Sequence, residues 1–198
     1  MRAAERDRPE VQAERAAWPK TVGEIPLRNL VFIDESGAST SMTRLYGRGL
    51  VGERVADSAP LSRWYTFTML SAIRLDGPFA PLLLDGALDG ESFKAWLEQM
   101  LIPELRPGDV VVMDNLPTHR VRGVLRLFEK SGHGLLYLPP YSPDLNPIEE
   151  MWSKVKSVLR SLKARTWDEM LSVMATAFET ITRSDCDGFF CHCGYRIN

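Results

Sequence analysis

Three cysteines, three histidines and no long apolar run are what this sequence offers to the commonest shortcuts in functional reading. No stretch approaches the ~18 apolar residues of a membrane span. The charged start Met1-Arg2-Ala3-Ala4-Glu5-Arg6 has no apolar segment behind it, so it does not read as a signal peptide. An odd number of cysteines argues against a disulfide framework. Cys186, Cys191 and Cys193 lie together beside His192, but Cys-x4-Cys-x-Cys is not a paired zinc-knuckle spacing, so no zinc is assigned to them. There is no excess of positive charge either. The net charge is −2, so any surface for a polyanion must be local. These absences leave an ordinary cytoplasmic protein as the expectation, with no membrane partner.

At 198 residues, 44% hydrophobic and 25% charged, the chain suits one well-buried domain. Residues 1–27 are rich in Arg, Glu and Ala and read as a charged lead-in or short helix, with the domain running over 28–198. Leu30 to Asp34 reads as a first strand. Gly47, Gly49 and Gly52 punctuate a turn and second strand, and Trp64 to Leu75 and Phe79 to Leu84 read as further strands. The period then changes. Phe93, Trp96, Leu97, Met100 and Leu101 recur at helical spacing. Val110 to Met113 is short and β-branched enough for a buried strand. Thr118 is placed to cap a helix through Val121, Val124, Leu125 and Phe128 that stops at Gly132. Leu135 to Leu138 is the last strand, and two helices, about 147–163 and 167–182, close the domain. The expectation is an α/β fold: an antiparallel meander, then parallel strands, in a mixed sheet covered by helices. Trp64, Trp96 and Trp152 fit its core.

Three acids stand out. Asp34 follows the apolar run Leu30–Ile33, Asp114 follows Val110–Met113, and Glu149 lies just inside a helix opened by Asn146-Pro147. Each has a bland reading: aspartates at strand ends start turns, and Glu149 sits at the capping-box position. Together they point elsewhere. Ligands bind beyond the carboxyl ends of parallel strands, and acids gathered there repel unless a cation joins them. Converging carboxylates on a divalent pair are the usual machinery for cutting and joining phosphodiesters. Glu35 alternates to the opposite face from Asp34, and Asp109 begins the strand that Asp114 ends. On the later helix, Ile148, Trp152, Val155, Leu159 and Leu162 form one apolar stripe with Glu149 at its margin. Glu150 points outward, with Lys154 at i+4 for an exposed ion pair.

The same helix answers the charge problem. Lys156, Arg160 and Lys163 follow Glu149 by seven, eleven and fourteen positions on its own face, with Arg165 just beyond. This cationic ridge suits a nucleic-acid backbone. His119 is a further candidate, to orient a water or contact a phosphate. Asp144 is read as a turn or capping residue.

Three segments carry a family resemblance: Val31-Phe32-Ile33-Asp34-Glu35-Ser36-Gly37, Val112-Met113-Asp114-Asn115 through His119, and Tyr137 through Glu149 with its Pro-Pro-Tyr-Ser-Pro-Asp-Leu-Asn-Pro core. They resemble the catalytic domain of DDE transposases, most of all the bacterial insertion-sequence branch of the Tc/mariner superfamily. The 34 residues between Asp114 and Glu149 match the spacing of that branch. The resemblance implies an RNase H-like fold and two Mg²⁺ or Mn²⁺ ions held by Asp34, Asp114 and Glu149. It implies DNA as substrate, cleavage at the element's terminal inverted repeats, strand transfer at TA dinucleotides, and a homodimer on paired ends in the nucleoid. Residues 1–27 are too few for a helix-turn-helix unit with its own core. The readings left open are the second half of a split reading frame, a truncated copy, or a catalytic piece relying on a separate helix-turn-helix chain from an upstream reading frame. The alternatives are another RNase H-like nuclease and a non-catalytic DNA-binding remnant.

Overall fold

Val31 and Phe32 are neighbours and both are fully buried, which requires a strand covered on its two faces. In the computed structural model, which describes residues 4–60, 64–115 and 123–196, that strand is β1 (Leu30–Ser39). It is the centre of a five-stranded sheet. β2 (Thr66–Arg74) pairs antiparallel with β1, and β3 (Gly77–Asp85) antiparallel with β2. On the other side, β4 (Val110–Met113) runs parallel to β1 and β5 (Gly134–Tyr137) parallel to β4, giving the order β3-β2-β1-β4-β5. This is the expected meander followed by parallel strands.

Strand alternation divides the interior into two cores. Leu30, Phe32 and Val112 face a layer built by α5 (Pro147–Leu162), α6 (Trp167–Glu179) and α7 (Arg183–His192). Val31, Ile33, Val111 and Met113 face α2 (Gly90–Trp96) and α4 (Val124–Ser131). Asp89 caps α2, its carboxylate accepting from the Ser92 amide at 2.7 Å. The helix continues through a π segment at Leu97–Leu101 into the short α3 (Ile102–Glu104). Trp96 and Trp152 lie in the core as expected. Gly132 ends α4 in the left-handed region at φ 75°, where a side chain would be strained. Thr118 and Val121 lie outside the described residues.

Four local expectations need correction. No strand forms around Gly47–Gly52: residues 40–60 are an excursion without regular structure, whose Leu45, Tyr46, Leu50 and Val51 are exposed. Those apolar residues imitate a strand but pair with none of the five, and β1 passes to β2 at the pair Ser39↔Thr66. Trp64 precedes that first pair and is 51% exposed rather than in the core. Leu162, at the end of the α5 stripe, is also exposed, because the helix stops there and Lys163 turns left-handed. A third closing helix, α7, follows the two expected; its local signal is a capping box of Thr182 and Asp185.

Helix α1 (Pro9–Gly23) lies within the charged lead-in, yet it buries Val11, Trp18 and Val22. The Trp18 indole donates to the Tyr195 hydroxyl at 2.9 Å, joining the two ends of the chain. The expected domain boundary near Arg28 therefore falls inside a packed unit.

Lys154 does not pair with Glu150. It donates to the Thr180 carbonyl at 2.9 Å and to Asp185 at 2.7 Å, partners supplied by the α6–α7 connection. Glu150 stands 3.4 Å from His192 instead. The Lys154 and Thr182 hydrogen bonds hold the Asp185 carboxyl down at about 2. A folded pKa below the unfolded one gives stability that is present above about pH 4 and lost as pH falls toward 2. We expect Asp185→Asn to weaken the acid-side fall in Tm over that interval, read by thermal melts at pH 2–5. An unchanged fall would remove this pair from the account of acid sensitivity.

Candidate active site

The β1–β4 pairing has a constant offset, Leu30↔Val110 through Phe32↔Val112. Continued by two residues, it sets Asp34 beside Asp114. Both lie on the Phe32–Val112 face, toward α5. Asp34 does not end its strand, as the apolar run alone suggested. β1 continues to Ser39 on the β2 side, with Asp34 opposite Ser71. What ends near Asp34 is the pairing with β4, so a cleft opens where the two strands part.

Asp34, Asp114 and Glu149 line that cleft, which encloses about 380 Å³. Its far wall is the segment Leu138 to Pro143, with Asn115 and Asn146 at the sides. Asp34 is only 7% exposed and accepts a hydrogen bond from the Glu35 amide at 2.9 Å. Burial, then the charges of Glu149, Glu35 and Asp114, hold its carboxyl well above the ordinary carboxylate range. Burial also raises Glu149, opposed by Lys156. Asn146 precedes Pro147 as expected but makes no side-chain cap hydrogen bond, so the capping reading of Glu149 has no reciprocal partner. The Asn115 and Asn146 Oδ1 atoms are buried without a hydrogen-bond partner among the described residues.

Hard oxygen donors, mutually repelling acids and orphaned carbonyl oxygens are the surroundings a divalent cation satisfies. No three His, Cys, Asp or Glu groups among the described residues stand close enough to surround a single ion. Glu35 follows Asp34 in β1, and its charge acts on both Asp34 and Glu149. Asp109 is fully buried elsewhere, where it accepts from the Arg106 amide at 2.9 Å and pairs with Arg74 at 3.3 Å.

The ridge of cations divides. Lys156 is the cation beside the acids: burial lowers its pKa while Glu149 and Asp34 support its charge. Arg160 is next on that face and forms no ion pair among the described residues. Lys163 pairs with Asp57 at 2.5 Å, and Arg165 donates to the Thr40 and Met42 carbonyls, so both bind the 40–60 excursion. His119 lies outside the described residues. Cys186 and Cys193 are core residues, their thiols pushed up to about 11 and about 12 by burial, while Cys191 is exposed.

Sequence reasoning gave the cleft wall no role of its own. Tyr141 holds φ 54°, a left-handed conformation that costs a non-glycine residue about 1–2 kcal/mol. Asp144, read as a turn residue, accepts from Arg15 through both oxygens, at 3.1 and 2.7 Å, and from Arg6 at 2.9 Å. Burial would raise its carboxyl, but these two arginines bring it below the ordinary value.

Comparison with known proteins agrees with this geometry. The Tcb1 transposase of Caenorhabditis briggsae is 30% identical over 100 residues, covering 48% of this chain and 37% of that protein. The Tc1 transposase of Caenorhabditis elegans is 29% identical over 92 residues, covering 46% and 34%. These matches thus span little more than a third of those curated relatives. Among solved structures, the Mos1 strand transfer complex superposes with a TM-score of 0.75 at 16% identity, over 98% of this chain and 59% of that one. The catalytic domain of Mos1 mariner transposase gives 0.69 at 14% identity, over 98% and 90%. At such identities the likeness establishes the RNase H-like fold. A sequence model of the DDE superfamily endonucleases matches residues 29–171, from the start of β1 into α6, and the chain belongs to that family.

Proposed function

We propose that the chain is the catalytic domain of a DNA transposase, cutting at the ends of a mobile element and joining those ends to target DNA. The observation that carries this reading is the single cleft shared by Asp34, Asp114 and Glu149, with Asp34 buried among like charges. Asp34 would contribute to holding two divalent ions, with Asp114 completing the environment of one and Glu149 that of the other. Mg²⁺ and Mn²⁺ are the expected ions; Mos1 paired-end complexes have been solved with each. When bound, such a pair supplies an activated water or 3′-hydroxyl and stabilises the leaving oxygen of an in-line displacement. The residues' own part is to hold the hard-oxygen environment, exclude bulk water around Asp34, and receive the phosphate backbone through Lys156 and Arg160.

The finer features are part of the same proposal. They are TA target sites, a homodimer on paired ends, contacts from Lys163, Arg165 and His119, action in the nucleoid, and end recognition by a separate helix-turn-helix chain. Lys163 and Arg165 would have to release the 40–60 excursion first.

The test is Mg²⁺-dependent cleavage of DNA carrying the flanking inverted repeats, with and without any upstream reading-frame product. Cleavage of branched DNA or RNA–DNA hybrids in preference to repeat ends would make this another RNase H-like nuclease. No divalent-ion binding at all would make it a non-catalytic remnant. We expect Lys156→Ala to weaken DNA binding about equally across sequences and to reduce the salt slope of log K by about one, measured by fluorescence anisotropy. An unchanged slope would take Lys156 off the DNA path.

A further inference from the structure

The far wall of the cleft is fastened from two segments outside the family-matched span. Arg15, on α1, donates to the Ser142 hydroxyl at 2.5 Å and grips both oxygens of Asp144. A planar guanidinium in this bidentate arrangement fixes direction as well as distance. Arg6 adds a second contact to Asp144. Ser142, only 5% exposed, passes the restraint on by donating to the Pro140 carbonyl at 3.0 Å. Three residues beyond Arg15, Trp18 donates to the Tyr195 hydroxyl, which donates in turn to the Leu145 carbonyl at 2.7 Å. Tyr195 is itself held by the rings of Phe32 and Phe190. Asp144 and Leu145 lead directly into Asn146, Pro147 and the α5 turn that bears Glu149. The same wall carries the left-handed Tyr141, a conformation that persists only where its surroundings determine it.

We propose that α1 is a positioning element of the catalytic cleft. Arg15 acts on Asp144 and Ser142, and Trp18 acts through Tyr195 on the Leu145 carbonyl, and together they set where the wall and Glu149 stand. Neither Arg15 nor Trp18 lines the cleft. Their effect passes through the segment they hold. Loosening either attachment lets the first turn of α5 move against Asp34 and Asp114, so the acids present a poorer environment to a divalent ion. This rests on the metal-dependent reading above.

The experiment uses the full chain and Mn²⁺ alone as probe, with titration calorimetry, thermal melts and amide hydrogen exchange on each variant. Arg15→Ala and Tyr195→Phe should each raise the Mn²⁺ dissociation constant by about tenfold, the scale on which supporting contacts act on metal sites. Exchange should rise over residues 141–149 and stay unchanged in the β2–β3 hairpin. Arg15→Lys should recover part of the affinity, and adding Asp144→Ala to Arg15→Ala should cost only the further loss of the Arg6 contact. Arg183→Ala, which removes a surface pair with Asp76 away from the cleft, should leave Mn²⁺ binding as it was. If wild type binds Mn²⁺ and Arg15→Ala binds it equally well, the positioning role is wrong while the function stands. If Arg183→Ala weakens binding as much, or exchange rises across the whole sheet, the effect is general destabilisation and the proposal falls. Wild type that binds no Mn²⁺ would overturn the functional reading, and this inference with it.

Discussion

Asp34→Asn should abolish metal-dependent strand cleavage, by at least ~1,000-fold or about 4 kcal/mol of barrier, and at the same time raise the Tm of the metal-free protein. The two effects share one cause. Asp34 is buried beside Glu149, Glu35 and Asp114, and that crowding disfavours its charge. An amide of the same shape removes the repulsion, and also the charge that a cation would need. Relief of about 1 kcal/mol corresponds to ~2–4 °C in a domain of this size. Adding Mg²⁺ should raise the Tm of wild type and leave the variant unmoved. Asp114→Asn and Glu149→Gln should lose cleavage to a similar degree, whereas Glu150→Gln, on the outward side of α5 near His192, should cut nearly as well as the parent. The measurements are single-turnover cleavage and thermal melts with and without Mg²⁺. Cleavage that survives Glu149→Gln but fails in Glu150→Gln would transfer the role from one glutamate to the other.

The second large effect is on stability. Asp109→Ala should cost about 3–5 kcal/mol, because it strands a buried cation. Arg74 is 4% exposed, lies over the Phe79 ring at 4.0 Å, and donates to the Glu104 carbonyl at 3.0 Å. Among the described residues Asp109 is the carboxylate within ion-pair distance of Arg74, and it also accepts from the Arg106 amide and from Asn29. Removing it leaves a guanidinium that burial already disfavours, whose Nε has no hydrogen-bond partner among the described residues. The double variant Arg74→Met, Asp109→Leu should recover part of the loss, because the charge to be desolvated goes with its partner. Urea melts of the three proteins settle it. A single variant as stable as the parent would show that water reaches Arg74.

These residues also show how far a sequence carries. Asp34 and Asp114 are legible because each follows a short run of large apolar residues, a pattern with few uses other than a covered strand. Glu149 is legible through Asn146-Pro147, which fixes where its helix begins. The grip of Arg15 on Asp144 is not, because it joins residues 129 positions apart and neither is unusual in its local setting. The same holds for Trp18 and Tyr195, 177 positions apart. The excursion through Gly47–Gly52 misled because strand propensity measures fit to a pleated surface, and no neighbouring strand was there to provide one. Lys163 ends α5 in a left-handed turn and Arg165 lies beyond it, and a helix wheel does not reveal which acid or carbonyl has already claimed a cation.

The four-residue strand β4 also limits how such chains can diverge. Deleting one position between Val110 and Met113 would turn Asp114 onto the α2 side of the sheet, since side chains alternate at every step. Residues 45–55, by contrast, pair with none of the five strands, so a tag or a fluorophore inserted there leaves the register that places the acids unchanged.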